Sequence, residues 1–251
     1  MIVSLKADTQ VILLDVEGTT THVDFVYKVL FPYARAHLRE FLAEHGDSEQ
    51  VRRDLLLLRN QHAEDEAAGF GPPPLLQSAA ELDSMVRYVN WLMDRDSKDP
   101  GLKSLQGKIW EQGYQGGELQ AHVFPDVPVA MRRWRDQQKK VCIFSSGSVL
   151  AQKQLFVHTV AGDLTAYIDE YFDTGSGNKR SPQSYQRIAG QLQQRPESVV
   201  FISDTAEELD AAQQAGVETI LCVRPGNRSQ PMDRYSVIHT FDEILLWRQR
   251  V

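Results

Sequence analysis

The stretch Val11–Thr21 constrains the fold of this chain more than any other part of the sequence. Four apolar residues run directly into Asp15, and a second acid, Glu17, follows two positions later, just before Gly18. This order predicts a buried β-strand with Asp15 at its carboxyl end and with Glu17 on the same side of the chain, because side chains alternate along an extended backbone. Gly18 lets the backbone turn sharply toward a ligand. Two acids at the carboxyl end of a strand suggest metal-assisted phosphate chemistry, but taken alone the stretch fits equally well a strand that ends at a solvated Asp followed by an ordinary Gly-Thr turn.

The rest of the chain divides into a helical part and an alternating part. Residues 22–122 show helical apolar spacing and no convincing strand, including a short helix at Leu102–Trp110 followed by the glycine-rich segment Gly113–Gly117. From residue 123 onward, strand and helix patterns alternate, as they do in a parallel sheet covered on both faces. The sequence therefore predicts an α/β fold in which residues 1–21 and 123–251 form one core. Residues 22–122 form a helical domain inserted after the first strand.

Two apolar runs in the alternating part also end in polar groups. One run ends at Ser145 and Ser146, and the other ends at Asp204. The carboxyl ends of neighbouring parallel strands surround one crevice where ligands bind, so we expect these groups to converge on Asp15. Two carboxylates with a backbone carbonyl and waters suit magnesium, while a hydroxyl group and the charge of Lys179 suit phosphate oxygens. The set predicts metal-assisted phosphoryl transfer.

The order of these groups resembles the four ordered motifs of the haloacid dehalogenase (HAD) superfamily of phosphatases. Within that superfamily, the chain is similar to the enolase-phosphatases, or acireductone synthases, of methionine salvage. The stretches that carry the likeness are Asp15–Thr21 with Glu at position 17, Leu105–Trp110, Gly113–Leu119, Ser145–Ser148, Lys179 with Ser184 and Tyr185, and Ser203-Asp204 with Glu208–Ala212. The likeness covers nearly the whole chain. It implies a HAD-like Rossmannoid core, with residues 22–122 as a helical cap domain.

The resemblance also implies a role for each candidate residue in metal binding and catalysis. Asp15 would be the nucleophile, forming an aspartyl phosphate, and also a magnesium ligand. Glu17 would bind magnesium through its backbone carbonyl and carry protons through its side chain. Asp204 would be the second carboxylate ligand. The alternatives are a capping Asp and a Glu that is merely solvated.

A second group of residues is implied in binding the phosphate and the substrate. Ser145 and Ser146 would contact phosphate or substrate oxygens, although serines that cap the following helix are the alternative. Lys179 would bind the phosphate and take part in catalysis, against the alternative of an ordinary surface lysine. Glu208, one helical turn beyond Asp204, would support Lys179.

The implied reaction is the magnesium-dependent enolisation and dephosphorylation of 2,3-diketo-5-methylthiopentyl-1-phosphate to the acireductone. The resemblance supplies this substrate, whereas residue spacing by itself supports only phosphoryl transfer. A HAD phosphatase for another small phosphate ester, without enolase activity, is therefore the nearest rival. A phosphoprotein-binding module with a silent site is a rival from a different class.

Charge and cysteine content limit the possible binding partners and the cellular compartment of the protein. The net charge is −7, the pI is near 5.5, and no block of Lys and Arg occurs, which argues against nucleic acid or an anionic membrane as partner. The two cysteines lie within apolar runs and are expected to be buried free thiols, which favours a reducing compartment. Residues 1–10 lack the pattern of a secretory signal. We expect a cytoplasmic protein that acts as a monomer on a small-molecule phosphate ester.

Overall fold

The computed structural model describes residues 2–245 of the chain. It divides the chain into two compact units, one from Met1–Val26 and Gln120–Val251 and the other from Tyr27–Leu119. The first unit contains the sheet and the second is helical. The assignment of residues 22–122 as a cap, and of residues 1–21 and 123–251 as a catalytic core, stays a prediction.

Strands and helices alternate in the first unit, and four main helices make up the second. The strands are β1 (Val3–Ser4), β2 (Val11–Leu14), β3 (Lys140–Phe144), β4 (Glu170–Phe172), β5 (Val199–Ser203), β6 (Glu218–Cys222), β7 (Ser236–Ile238) and β8 (Ile244–Leu245). The α-helices are α1 (Val23–Phe25), α2 (Phe31–His45), α3 (Glu49–Ala67), α4 (Glu81–Asp94), α5 (Pro100–Gln115), α6 (Asp126–Asp136), α7 (Val149–Val157), α8 (Pro182–Gln191) and α9 (Ala206–Gln214). A π-helical turn spans Val26–Leu30, and short 3₁₀ turns occupy Ser78–Ala80, Thr165–Tyr167, Thr174–Ser176, Pro196–Ser198 and Phe241–Glu243.

The central sheet confirms the predicted α/β fold. Its six strands are all parallel and lie in the order β4-β3-β2-β5-β6-β7. Strand β2 pairs with β3 on one side and β5 on the other, with Leu14 level with both Ile143 and Ile202. All four residues of β2 are fully buried, as its unbroken apolar run indicates for a strand covered on both faces. The register brings the carboxyl ends of β2, β3 and β5 to the same edge of the sheet.

Strand β1 is an element that the sequence patterns do not reveal. It has two residues, precedes β2 and pairs with β8 in a separate two-stranded sheet. The helical segment therefore follows the first strand of the six-stranded sheet, and β1 lies before that strand in the chain. Two residues are too few to show the alternation that identifies a strand in sequence.

The helical unit contains the stretch Leu105–Leu119 that carries part of the family likeness. Helix α5 starts at Pro100, is capped by Asp99 and runs to Gln115, so it is longer than the predicted Leu102–Trp110. Gly113 therefore lies inside this helix and not beyond its end. A Cβ atom at Gly113 would lie 2.6–2.7 Å from ring atoms of Tyr33, so the glycine makes room for an aromatic ring of the same unit.

Two further findings bear on the predicted environment of the protein. Cys142 in β3 and Cys222 in β6 are both free and buried, and burial raises the pKa of each thiol to about 12. No helix within residues 2–245 is long and apolar enough to cross a membrane.

Candidate active site

Asp15 stands at the carboxyl end of β2, with its side chain almost completely buried. Its backbone N–H donates to the carbonyl oxygen of Ile202 at 3.0 Å, so the pairing with β5 continues up to this residue. One carboxylate oxygen, Oδ1, accepts from Lys179 Nζ at 2.5 Å, and the other, Oδ2, accepts from Thr19 Oγ1 at 3.2 Å. The strand and these two donors fix the position of the carboxylate.

The chain reverses immediately after Asp15 in a tight loop. The backbone N–H groups of Thr19, Thr20 and Thr21 all point to the carbonyl oxygen of Val16, at 3.0–3.3 Å. Gly18 adopts a φ of +76°, a backbone conformation that residues other than glycine rarely adopt. A Cβ atom at this position would lie only 2.3 Å from Asp204 Oδ2. Gly18 is therefore required both for the turn and for the close approach of the Asp204 carboxylate.

Lys179 is a buried residue, in contrast to the alternative of a surface lysine. Its Nζ atom contacts Asp15 Oδ1 at 2.5 Å and Glu208 Oε2 at 2.7 Å. Its backbone carbonyl accepts from the Tyr185 hydroxyl at 2.7 Å, which ties the loop to α8. Burial opposes the charge on this amine, but the two carboxylates outweigh burial and raise the pKa of Lys179. The ammonium group is therefore permanently charged.

Asp204 and Glu208 flank this ammonium group from the end of β5 and the first turn of α9. Asp204 Oδ1 accepts from Thr205 Oγ1 at 3.1 Å, and Glu208 Oε2 accepts from Ser203 Oγ at 3.0 Å. Burial and then the charge of Asp15 raise the pKa of Asp204 to about 7. Burial also raises the pKa values of Asp15 and Glu208, against the opposing charge of Lys179. The ammonium group thus contacts two carboxyl groups, Asp15 and Glu208, while Asp204 feels the charges of both Asp15 and Lys179.

Ser145 lies at the end of β3 and contacts Glu17. Its hydroxyl donates to the Glu17 carboxylate, 3.2–3.3 Å from the two oxygens, and accepts from the N–H of Gly147 at 3.0 Å. The side chain of Ser146 is exposed. The residue that caps α7 is Ser148, so helix capping does not account for Ser145 or Ser146. The structure brings Asp15, Glu17, Ser145, Lys179 and Asp204 to one edge of the sheet, within the same unit.

The carboxyl oxygens at this edge of the sheet repel one another and are suited to binding a divalent cation. The absence of a side chain at Gly18 lets the Asp204 carboxylate approach the loop after Asp15. Burial raises the pKa values of both Asp15 and Asp204, and the charge of Asp15 adds to the rise for Asp204. In residues 2–245 there is no group of three or more His, Cys, Asp or Glu side chains suited to a metal ion. The predicted ligand set has only two side-chain carboxylates, and the Glu17 carbonyl is its third protein ligand. A hard cation that keeps several waters is the type of ion that such a set suits.

The sequence analysis missed Arg224, a buried arginine that holds the loop after Asp15. Its guanidinium group donates to both oxygens of Asp126, at 3.0 and 2.8 Å, and to the backbone carbonyl of His239 at 2.9 Å. Its Nε atom donates to the carbonyl of Thr19 at 3.1 Å. Arg224 lies two residues beyond the end of β6, in Arg-Pro-Gly-Asn, and an arginine that opens a Pro-Gly turn after a buried strand was the available signal.

Comparison with known proteins gives a family match and close relatives. Residues 9–216 match the family model described as haloacid dehalogenase-like hydrolase. A protein of Synechococcus elongatus named enolase-phosphatase E1 is 47% identical over 240 residues, which cover 96% of this chain and 99% of that protein. The enolase-phosphatase E1 of Drosophila melanogaster is 41% identical, with 90% and 87% covered. The crystal structure of the UTR4 protein of Saccharomyces cerevisiae superposes with a TM-score of 0.76 at 33% identity, over 93% of this chain and 99% of that one.

Replacing Gly18 by alanine should weaken metal binding by more than its effect on stability explains. Gly69 has nearly the same φ, +75°, but nothing lies within 4 Å of a Cβ atom there, so Gly69→Ala is a matched control. Gly69→Ala should cost about 1–2 kcal/mol in the free energy of unfolding, the cost of a left-handed non-glycine residue, and Gly18→Ala should cost more because its Cβ atom meets the Asp204 carboxylate. Only Gly18→Ala should also displace Asp204 and raise the dissociation constant for magnesium, by about 10- to 100-fold. Denaturant unfolding measures the effect on stability, and calorimetric titration measures the effect on magnesium binding. Equal magnesium affinities for Gly18→Ala and Gly69→Ala would contradict a role in metal binding for the close approach of Asp204 to Gly18.

Replacing Asp204 by asparagine should flatten the pH dependence of stability in the metal-free protein. The pKa of Asp204 is about 7 in the folded state and close to its ordinary value of 3.8 in the unfolded state, so the folded state binds the proton more tightly. The stability from this group is complete below pH 4 and is lost as the pH rises through about 7. Urea unfolding between pH 4 and 8 should show a steeper fall for the wild type than for Asp204→Asn. Parallel curves would mean that Asp204 does not titrate in this range.

Proposed function

Because the chain belongs to the enolase-phosphatase E1 family of haloacid dehalogenase-like hydrolases, we propose that it converts 2,3-diketo-5-methylthiopentyl-1-phosphate to the acireductone of methionine salvage. The enzyme first enolises the substrate and then hydrolyses its phosphate, with magnesium as cofactor. The observation that carries this proposal is the buried cluster in which Lys179 lies between Asp15 and Glu208 while Asp204 approaches Gly18. This cluster joins a nucleophile, a phosphate-binding cation and a second carboxylate at one edge of the sheet.

Asp15 acts as the nucleophile in phosphate release. One of its oxygens attacks phosphorus, the bond from phosphorus to the substrate oxygen breaks, and the leaving oxygen takes a proton. Water then hydrolyses the aspartyl phosphate and returns the free carboxylate with inorganic phosphate. Lys179 and Thr19 hold the carboxylate at a fixed angle before the attack, which lowers the entropic cost of reaching the reactive geometry.

Magnesium would be held by the carboxylates of Asp15 and Asp204 and by the backbone carbonyl of Glu17. When bound, it supplies positive charge that neutralises the transferred phosphoryl group, the main contribution available to this class of reaction. Burial and the charge of Asp15 raise the pKa of Asp204, which supports this assignment, because a divalent cation lowers the cost of keeping the two carboxyl groups ionised.

Lys179, Ser145 and Ser146 bind the phosphate and the substrate oxygens. An ammonium group has three N–H donors, and Asp15 and Glu208 account for two of them, which leaves the third for a phosphate oxygen. Glu208 keeps the amine in place when Asp15 reacts. The Ser145 hydroxyl, which contacts Glu17, lies where it can turn from that carboxylate to a substrate oxygen.

Glu17 carries protons through its side chain. Enolisation takes a proton from carbon and places one on a carbonyl oxygen, and phosphate release delivers one to the leaving oxygen. A carboxylate that accepts a hydrogen bond from Ser145 at the edge of the site is suited to at least one of these transfers.

The free, buried thiols of Cys142 and Cys222 support a reducing compartment. We therefore propose a cytoplasmic enzyme that acts as a monomer, without nucleic-acid or membrane partners.

Replacing Asp15 by asparagine should abolish phosphate release, because the substitution removes the nucleophile while keeping the volume of the side chain. The exposed Asp8 offers the same substitution as a control, and Asp8→Asn should keep full activity. The assay supplies the diketo phosphate with magnesium and follows enol formation and phosphate release separately. Phosphate release by Asp15→Asn above a few per cent of the wild-type rate would overturn the covalent mechanism. Release of phosphate by the wild type without any enol signal would instead identify an ordinary phosphatase.

Replacing Glu17 by glutamine should slow at least one of the two steps by about 10²-fold, the usual scale for general acid-base catalysis. The backbone carbonyl remains, so magnesium binding should be retained. Glu207→Gln is the matched control, because Glu207 is exposed on α9. Rapid-quench measurement of the enol intermediate shows which step is slowed. If both rates stay within about twofold of wild type, the Glu17 side chain has no part in proton transfer.

A further inference from the structure

The turn after β6, Arg224-Pro225-Gly226-Asn227, lies against the loop that follows Asp15. Arg224 donates to the carbonyl of Thr19, and Asn227 Nδ2 donates to the carbonyl of Gly18 at 2.8 Å. Asn227 Nδ2 also lies 3.3 Å from the carbonyl of Cys222 at the end of β6. The amide group of Asn227 thus links the end of one strand to the loop that carries the predicted metal ligand Glu17.

These contacts fix which way the Asn227 amide points. Both of its neighbours on one side are carbonyl oxygens, which accept hydrogen bonds only, so the NH₂ group must face them. Oδ1 therefore points the other way. This oxygen is buried, and it has no hydrogen-bond partner within residues 2–245. A buried acceptor left without a donor is unfavourable, so we expect a donor that is not one of the described residues at this oxygen.

The free oxygen lies beside the Asp204 carboxylate. A Cβ atom built on Gly18 would be 3.0 Å from Asn227 Oδ1 and 2.3 Å from Asp204 Oδ2, so both oxygens lie close against the same face of Gly18. Neither oxygen can donate a hydrogen bond to the other when Asp204 is ionised. A group with hydrogen-bond donors next to a cation satisfies both oxygens together, and the water shell that magnesium keeps is such a group.

We propose that Asn227 is a positioning residue for the metal ion. Its Oδ1 atom accepts a hydrogen bond from the water shell of the magnesium ion that Asp204 binds, while its NH₂ group holds the Gly18 carbonyl. The inference rests on the proposed function for the presence of magnesium, and it adds a residue from a strand end that supplies none of the predicted ligands. The competing role for Asn227 is a brace for the Gly18 loop that has no effect on the metal.

Two substitutions at this position separate the roles. Asn227→Leu removes both the acceptor and the donor at similar volume, whereas Asn227→Asp keeps an acceptor oxygen and loses the donor. Both should lower the thermal stability of the metal-free protein, since each leaves the Gly18 carbonyl without its donor. Asn60→Leu, at an exposed position in α3, is the control for the same change of side chain.

Calorimetric titration of each purified variant with magnesium chloride alone gives the decisive measurement. Asn227→Leu should raise the dissociation constant for magnesium by about 3- to 10-fold, the scale of one hydrogen bond, while Asn227→Asp and Asn60→Leu should bind at least as tightly as the wild type. The inference is overturned if the dissociation constant of Asn227→Leu stays within twofold of wild type, or if Asn227→Asp and Asn227→Leu weaken magnesium binding equally. Asn227 then only braces the Gly18 loop. Asp204→Asn is the positive control for lost binding. Absence of magnesium binding by the wild type would overturn the proposed cofactor, and the inference with it.

Discussion

The contact between Lys179 and Asp15 is the interaction on which the rest of the site depends. A carboxylate at the end of a fully buried strand is costly to keep charged, and the nearby amine is equally costly alone. Together they are stable, because the ammonium group touches both Asp15 and Glu208. The pairing sets the position of Asp15, the proposed nucleophile, and holds a positive charge where the phosphate is expected. The packing of Tyr185 on Phe144 and Phe201, with its hydroxyl bound to the Lys179 carbonyl, anchors the lysine to the core of the sheet.

The surplus of negative charge is a cost that the folded protein carries for its function. Asp15, Asp204 and Glu208 lie around one lysine, and burial raises the pKa of each of them. A core of neutral side chains would avoid this repulsion. Residues arranged for a ligand often destabilise the ligand-free fold in this way. The repulsion is relieved by whatever cation the site takes up, so folding stability and cation binding are linked.

The sequence predicts the parts of the site that follow from the strand pattern. Asp15, Ser145 and Asp204 each end an apolar run, and the geometry of a parallel sheet brings such ends together. Lys179 was predicted from the order of motifs and from family likeness, because the loop that carries it has no periodic pattern. Arg224 and Asn227 were missed, because their partners Thr19 and Gly18 lie about two hundred positions away in the chain. The helix was predicted to end at Trp110, before Gly113, since nothing in the local sequence shows the Tyr33 ring that lies against this glycine.

The central position of β2 has a consequence for the order in which the protein folds during synthesis. Strand β2 leaves the ribosome early, but its two sheet neighbours are at Lys140–Phe144 and Val199–Ser203. More than half of the chain must therefore be made before the strand that bears Asp15 gains its first partner, and most of it before the second. During that interval a fully apolar segment has no native neighbour in its sheet. Pairing between strands so far apart in the sequence is slow, and it leaves the apolar β2 segment open to aggregation until its neighbours arrive.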